Sequence, residues 1–156
     1  KYPVEAVRNM AQICAYTEEH ISYKKRFLTA EFRIKNILDA ISHATCAMSI
    51  DVDAKAIVVC SVTGTTARMV SRFRSPVDIV GMTTDKKVWR KLALSWGVTP
   101  MLTEKFNSVD VMFYKAKESA KAALNLNSGD NVVLTAGPIN GQCGNTNTIK
   151  VEQIDS

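Results

Sequence analysis

Four hydroxyl side chains, Ser61, Thr63, Thr65 and Thr66, crowd around one glycine, Gly64, just after the apolar run Ala56–Cys60. Hydroxyls donate to anionic oxygens, and a glycine lets a backbone come close to a ligand. The stretch that follows, Ala67–Phe73, reads as a helix. A helix start presents free N–H groups and roughly half a positive elementary charge, so the segment is equipped to hold a phosphate. It is no Walker A loop, which needs a Lys after the second Gly, and no G-x-G-x-x-G fingerprint. The same residues also suit plain capping, with Thr63 as N-cap and the other hydroxyls solvated. Taken alone, they leave both readings open.

A second polar loop, "AGPINGQCGNTNT" (136–148), carries Gly137, Gly141 and Gly144. If the apolar runs before the two loops are neighbouring strands, both loops flank one crevice. An irregular hairpin connection is the other reading. Elsewhere the sequence is poor in catalytic groupings. His20 and His43 stand alone, without the neighbours a metal site or a catalytic base needs. Cys14, Cys46, Cys60 and Cys143 are widely spaced with no C-x-x-C, which argues for free thiols over zinc or a disulfide framework. No triad or carboxylate pair is in evidence, and the charged groups Glu118/Lys121 and Lys86–Lys91 read as solvent-facing.

The elements that must position these residues follow from periodicity. Pro3 suits a first helical turn, and Val4, Val7, Ala11 and Cys14 continue at helical spacing to about Glu19. A second helix is expected from about Thr29, with Glu31 near its start and Ile34, Leu38, Ile41, Thr45 and Met48 on one face. The period then changes. "AIVVC" (56–60), "VDIVGMT" (77–83), "GVTPML" (97–102) and "NVVLTA" (131–136) are short, β-branched and apolar, as strands covered on both faces are. Helices are expected between them at Thr65–Phe73, at Asp85–Trp96 with Thr84 as N-cap and Gly97 beyond its end, and at Ser108–Leu124. The last should face inward with Val109, Met112, Phe113, Ala116, Ala120 and Ala123. Repeated strand–helix alternation implies right-handed crossovers and a parallel sheet. "TIKVEQI" (148–154) alternates apolar and polar residues and follows without a helix, which predicts an antiparallel, half-exposed edge strand. The expected fold is a three-layer α/β/α with a five-stranded mixed sheet.

The chain has 156 residues, a net charge of +5 and 46% hydrophobic residues, enough for one well-packed domain. The positive charge is scattered over Lys24–Arg26, Arg68/Arg72/Arg74 and Lys86–Lys91. Solvated faces account for most of it and an anionic small ligand comes second. No aromatic platform supports nucleic-acid binding. No run approaches the ~18 apolar residues of a membrane span, and no secretory signal pattern is present, so a cytoplasmic protein is expected. The chain opens without Met and runs straight into a helical pattern, which reads as a piece of a longer polypeptide.

Four stretches together, "KYPVEAVRNMA", "SVTGTTARMVSRFRSP", "DIVGMTT" and "GNTNTIKV", resemble the C-terminal part of pyruvate kinase, in order and with matching spacing. The resemblance implies that residues 1–26 correspond to the last helix of a (β/α)₈ barrel and a linker, and residues 27–156 to the regulatory domain. The family's catalytic Lys and Arg, and its Mg²⁺ and K⁺ ligands, lie in the barrel, so none is expected here and the piece alone should be inactive. Ser61, Thr63, Gly64, Thr65 and Thr66 match the loop that grips the 6-phosphate of fructose 1,6-bisphosphate in activated members. Gly141, Gly144 and Asn145 match the loop closing over the sugar. Lys105 and Met112 fall near the places where activated eukaryotic members carry a Trp and the Arg for the 1-phosphate. Loss of the Arg fork favours a sugar monophosphate or nucleoside monophosphate effector. The resemblance further implies docking on the chain's own barrel domain and a tetramer built through the last strand and the helices of this domain.

Overall fold

The computed structural model describes residues 1–139 and 145–155. Helix α1 (Pro3–Glu19) starts with proline in its first turn, and none of its residues is buried. Helix α2 (Tyr23–Thr29) is capped by Ser22, whose hydroxyl accepts from the Lys25 N–H, and it buries Phe27. Helix α3 (Ile37–Asp51) leads into β1 (Ala56–Cys60), α4 (Thr65–Arg72), β2 (Asp78–Thr83), α5 (Lys86–Leu92), β3 (Val98–Leu102), α6 (Val109–Leu124), β4 (Asn131–Ala136) and β5 (Thr148–Gln153).

The strands form one sheet in the order β3-β2-β1-β4-β5. The pairs β1/β2, β2/β3 and β1/β4 are parallel, and β4/β5 is antiparallel. The expected fold, a five-stranded mixed sheet between two helical layers, is the one observed. Alternation along the strands separates two cores. Ala56, Val58, Val80, Val132 and Leu134 pack with Met112, Phe113, Ala116 and Ala120 of α6. Ile57, Val59 and Ile79 pack with Cys46 and Ile50 of α3, with Ala67 and Val70 of α4, and with Phe27. The chain steps outward from β1 to β2 and β3, then crosses back to β4. The point where the connections diverge therefore lies between β1 and β4.

Four local expectations are corrected. The helix expected from Thr29 is split: α2 ends there, and α3 begins only at Ile37. The cause is capping. The Asn36 side chain accepts from the Asp39 N–H at 2.9 Å, and the Asp39 carboxylate accepts from the Lys35 N–H at 3.1 Å, so a new helix start is satisfied there. Ile34 consequently lies outside the helix, exposed. The buried face of α3 is also rotated from the apolar stripe, onto Asp39, Ser42, Thr45, Cys46, Ser49 and Ile50. The hydroxyls of Thr45 and Ser49 are satisfied by the carbonyls of Ile41 and Cys46 within the helix. Finally, α5 is shorter than expected, Lys86–Leu92, with Asp85 rather than Thr84 as its cap. The Asp85 carboxylate accepts from the N–H groups of Lys87 and Val88, which holds its pKa below the usual carboxylate value. On α6, Met112, Phe113, Ala116 and Ala120 face inward as expected, but Val109 stays exposed.

Candidate functional site

A cleft of about 480 Å³ opens at the carboxyl ends of the parallel strands. Its floor is Cys60 and Met82, with Met112 from α6. One wall is Ser61, Val62, Thr63 and Thr66 from the β1–α4 connection, continued by Thr83 and Thr84 after β2. Thr103, Lys105, Phe106 and Asn107, between β3 and α6, stand on another side. Gly137, Pro138, Ile139, Asn145 and Thr146 of the β4–β5 connection complete it. Since β1 and β4 pair directly, the two polar loops flank one crevice.

The wall is held by its own hydrogen bonds. The turn between β1 and α4 closes with Gly64 N–H to the Ser61 carbonyl at 3.3 Å. The Thr83 hydroxyl donates to the Val62 carbonyl at 2.9 Å, tying this turn to β2. Thr66, 2% exposed, shares a 2.6 Å hydroxyl–hydroxyl bond with Thr146, which joins the two loops across the sheet. Gly64 is the N-cap of α4, with φ +70°, and has no side chain to offer the helix's first N–H groups. A Cβ there would stand 2.7 Å from Val88 Cγ1, so glycine is demanded by packing against α5 as well as by conformation. Helices α2, α3, α5 and α6 are capped by the side chains of Ser22, Asn36, Asp85 and Ser108, whereas the N-cap residues of α1 and α4 make no side-chain bond; α4 has no acidic residue in its first turn, and the Thr63 hydroxyl accepts from its Thr65 N–H at 3.5 Å.

Of the residues singled out in the sequence, Ser61, Thr63, Thr66 and Asn145 line the cleft together. Thr65 stands to the side: its hydroxyl lies 3.0 Å from that of Thr63 and accepts from Arg68 at 3.3 Å. Gly64 shapes the turn from behind. Gly141 and Gly144 lie outside the described residues. Lys105 and Met112, 7 residues apart in the chain, both reach the cleft. Sequence reasoning missed Thr83, Thr84, Thr103, Phe106, Asn107 and Thr146. A signal existed for Thr83, Thr84 and Thr103, which end or directly follow β2 and β3 at the carboxyl ends of strands, where ligands collect in open α/β sheets.

The electrostatics favour an anion. Among the described residues the lining holds no carboxylate, and Lys105 is its one charged side chain. Cys60 is no nucleophile, because burial pushes its thiol up to about 12 and keeps it protonated at neutral pH. Among the described residues no group of three or more His, Cys, Asp or Glu can hold a metal ion, so no step through Mg²⁺ or K⁺ is assigned to this chain. No helix among the described residues is long and apolar enough to cross a membrane. His43 packs among the rings of Phe27, Phe32 and Phe73 at 5.2–5.4 Å, away from the cleft.

The family profile described as "Pyruvate kinase, alpha/beta domain" matches residues 39–152. The pyruvate kinase of Clostridium acetobutylicum is 40% identical over 156 residues, covering 99% of this chain and 33% of that protein. That of Geobacillus stearothermophilus is 36% identical, covering 99% of this chain and 26% of that protein. A crystal structure of a pyruvate kinase from Cryptosporidium parvum gives a TM-score of 0.82 at 25% identity, covering 99% of this chain and 30% of that one. The Cryptosporidium parvum enzyme in complex with ADP gives 0.78 at 25% identity, over 99% of this chain and 31% of that one. The chain thus spans about a third or less of the length of these relatives. With the profile matched from the first turn of α3 through β5, this chain belongs to the pyruvate kinase alpha/beta domain family.

Proposed function

We propose that this chain is the regulatory and assembly domain of a pyruvate kinase, and that its cleft binds the phosphoryl group of a small phosphorylated effector. In the whole cytoplasmic enzyme, a barrel domain with Mg²⁺ and K⁺ transfers phosphoryl from phosphoenolpyruvate to ADP. The observation that carries the effector reading is a cleft with no lining carboxylate among the described residues, faced by Ser61, Thr63 and Thr66 at the start of α4, whose N-cap Gly64 offers no side chain. The phosphate is held at the Ser61–Thr66 turn by the hydroxyls of Ser61 and Thr63 and by the backbone N–H groups around Gly64, Thr65 and Thr66, with Asn145 on the facing loop. Across the cleft Lys105 offers one point charge and Met112 none, which favours a monophosphate over a bisphosphate. Calorimetric titration with ribose 5-phosphate, AMP and fructose 1,6-bisphosphate tests this. Binding of none of them refutes the effector reading.

The domain boundary falls near residue 27. Phe27 is 5% exposed in the core, while α1 buries nothing and leaves Val4, Val7, Met10 and Ile13 more than 60% exposed. Such a helix suits docking on the chain's own barrel domain. A second reading, a purely structural assembly domain, is favoured by β5, an edge strand left open on one side. Pairing of β5 with a second copy, helped by the helices of this domain, builds the tetramer.

A further inference from the structure

The Trp96 indole joins helix α1 to the α/β unit. Trp96, in the turn before β3, donates from Nε1 to the Glu18 carboxylate in the last turn of α1, at 2.8 Å. The Tyr23 ring packs on the indole with centroids 4.8 Å apart, and the Arg74 guanidinium lies 4.7 Å from its centroid. The Trp96 carbonyl accepts from the buried Ser71 hydroxyl of α4 at 2.7 Å. Arg74, just past the end of α4, holds φ +54°, a left-handed conformation rare for residues other than glycine. The backbone there is bent in the way that brings its guanidinium to the indole. Around this point a hollow of about 280 Å³ lies between Glu18, Tyr23, Pro76 and Trp96.

The other end of α4 is the wall of the cleft, at Thr66. Eight helical residues span about 12 Å, one rigid rod from the cleft to the indole. We infer that Trp96 is a positioning residue that holds α1 on the α/β unit and ties its placement to α4, so that filling the cleft changes the seat of α1. The clamp itself stands on the contacts of Trp96, and the ligand response rests on the cleft reading above. Thr66 bonds Thr146 at one end of this helix and Ser71 bonds the Trp96 carbonyl at the other, so one element joins the cleft to the indole. By linkage, whatever fixes α1 alters affinity at the cleft by the same factor.

The test is energy transfer from Trp96 to a dansyl group on Cys14, which is exposed on α1. A Trp89→Phe, Cys143→Ser background of the 156-residue chain leaves Trp96 as the only indole donor and Cys14 as the reactive thiol. Time-resolved transfer is expected to show one narrow distance distribution. Glu18→Ala is expected to broaden it with the near-ultraviolet dichroism of the α/β unit unchanged, and Glu18→Gln, which keeps the acceptor, to restore it. Adding AMP or ribose 5-phosphate is expected to shift the distance in the background chain and to leave Glu18→Ala unshifted. A distribution equally narrow in Glu18→Ala overturns the clamp. An equal ligand-induced shift in both chains, or none in the background chain despite calorimetric binding, overturns the coupling. If neither probe binds by calorimetry, the cleft reading and the coupling built on it fail, and the ligand-free comparison still decides the clamp.

Discussion

Thr63 and Thr66 play different parts in the same wall. Thr63 is exposed to the cleft, whereas Thr66 is buried and spends its hydroxyl on Thr146. A hydrogen bond to a charged oxygen is worth about 1.5–3 kcal/mol, and a helix start adds about 0.3–2 kcal/mol. Several together reach the roughly 8 kcal/mol that micromolar binding needs. Thr63→Ala is therefore expected to weaken phosphate binding about tenfold or more. Thr66→Glu is expected to abolish it by setting a carboxylate beside the phosphate. Because Thr66 also ties the two loops, Thr63→Glu is the cleaner charge test, as position 63 has room for the side chain. Calorimetry checks all three variants, and unchanged affinity in the glutamate variants would place the anion elsewhere. Across the cleft, Lys105 is a single point charge, so fructose 1,6-bisphosphate is expected to bind no more than about tenfold tighter than a comparable monophosphate. Gly64→Ala is expected to lower stability by about 1–2 kcal/mol, since a left-handed alanine is strained and its Cβ meets Val88. A denaturant melt measures it.

The two edges of the sheet differ, and each strand's sequence says why. Edge strand β3 carries Pro100, which has no N–H to offer a neighbour, and the Trp89 indole donates to the Pro100 carbonyl at 3.1 Å. Edge strand β5 has no such guard. Lys117 of α6, nearly buried, anchors the end of that strand by pairing with Asp155 at 2.5 Å and with Glu152 at 3.4 Å, and the Lys121 ammonium donates to the Asp155 carbonyl at 2.9 Å. Chiefly through its bond to Asp155, Lys117 is held above the ordinary lysine pKa. An anchored, open edge is ready to pair with a second copy about a two-fold axis. Val151→Pro is expected to shift the chain toward monomer in sedimentation at high concentration, and equal monomer fractions would argue against this contact. Two elements also give a pH signature. Burial raises the thiols of Cys46 in α3 and Cys60 in β1 to about 12, from 9.0. A raised folded-state pKa contributes stability in full below the unfolded value and loses it as pH rises. Stability is therefore expected to fall between pH 9 and about 12, and Cys46→Ala with Cys60→Ala to flatten that slope in denaturant melts.

For the molecule as a whole, the function proposed above separates regulation from chemistry. Among the described residues the cleft has hydroxyls, one lysine and protonated thiol sulfur, but no general base and no lining carboxylate to hold a divalent ion. A coupled assay with phosphoenolpyruvate, ADP, Mg²⁺ and K⁺ is expected to show background turnover only. Activity that survives repurification would overturn the assignment of catalysis to the barrel.

The sequence by itself determined the layers and the sheet. Continuous apolar, largely β-branched runs such as Ile57–Val59 and Val132–Leu134 admit little besides buried strands, and the alternation in Thr148–Gln153 marks a half-exposed edge. The hydroxyl cluster at Ser61–Thr66 was equally legible, because its composition is unusual and it follows a strand. Tertiary structure alone decided which face of α3 is buried, since contacts with α4 and the sheet favour small residues that can approach closely over the larger apolar ones. It alone brought Thr146 to Thr66, across 80 residues of chain, and Trp96 to Glu18, across 78. Such pairs leave no local period or spacing, because what joins them is the strand order and the crossover back to β4. The burial of Lys117 has the same origin: only the antiparallel return of β5 places Glu152 and Asp155 beside it.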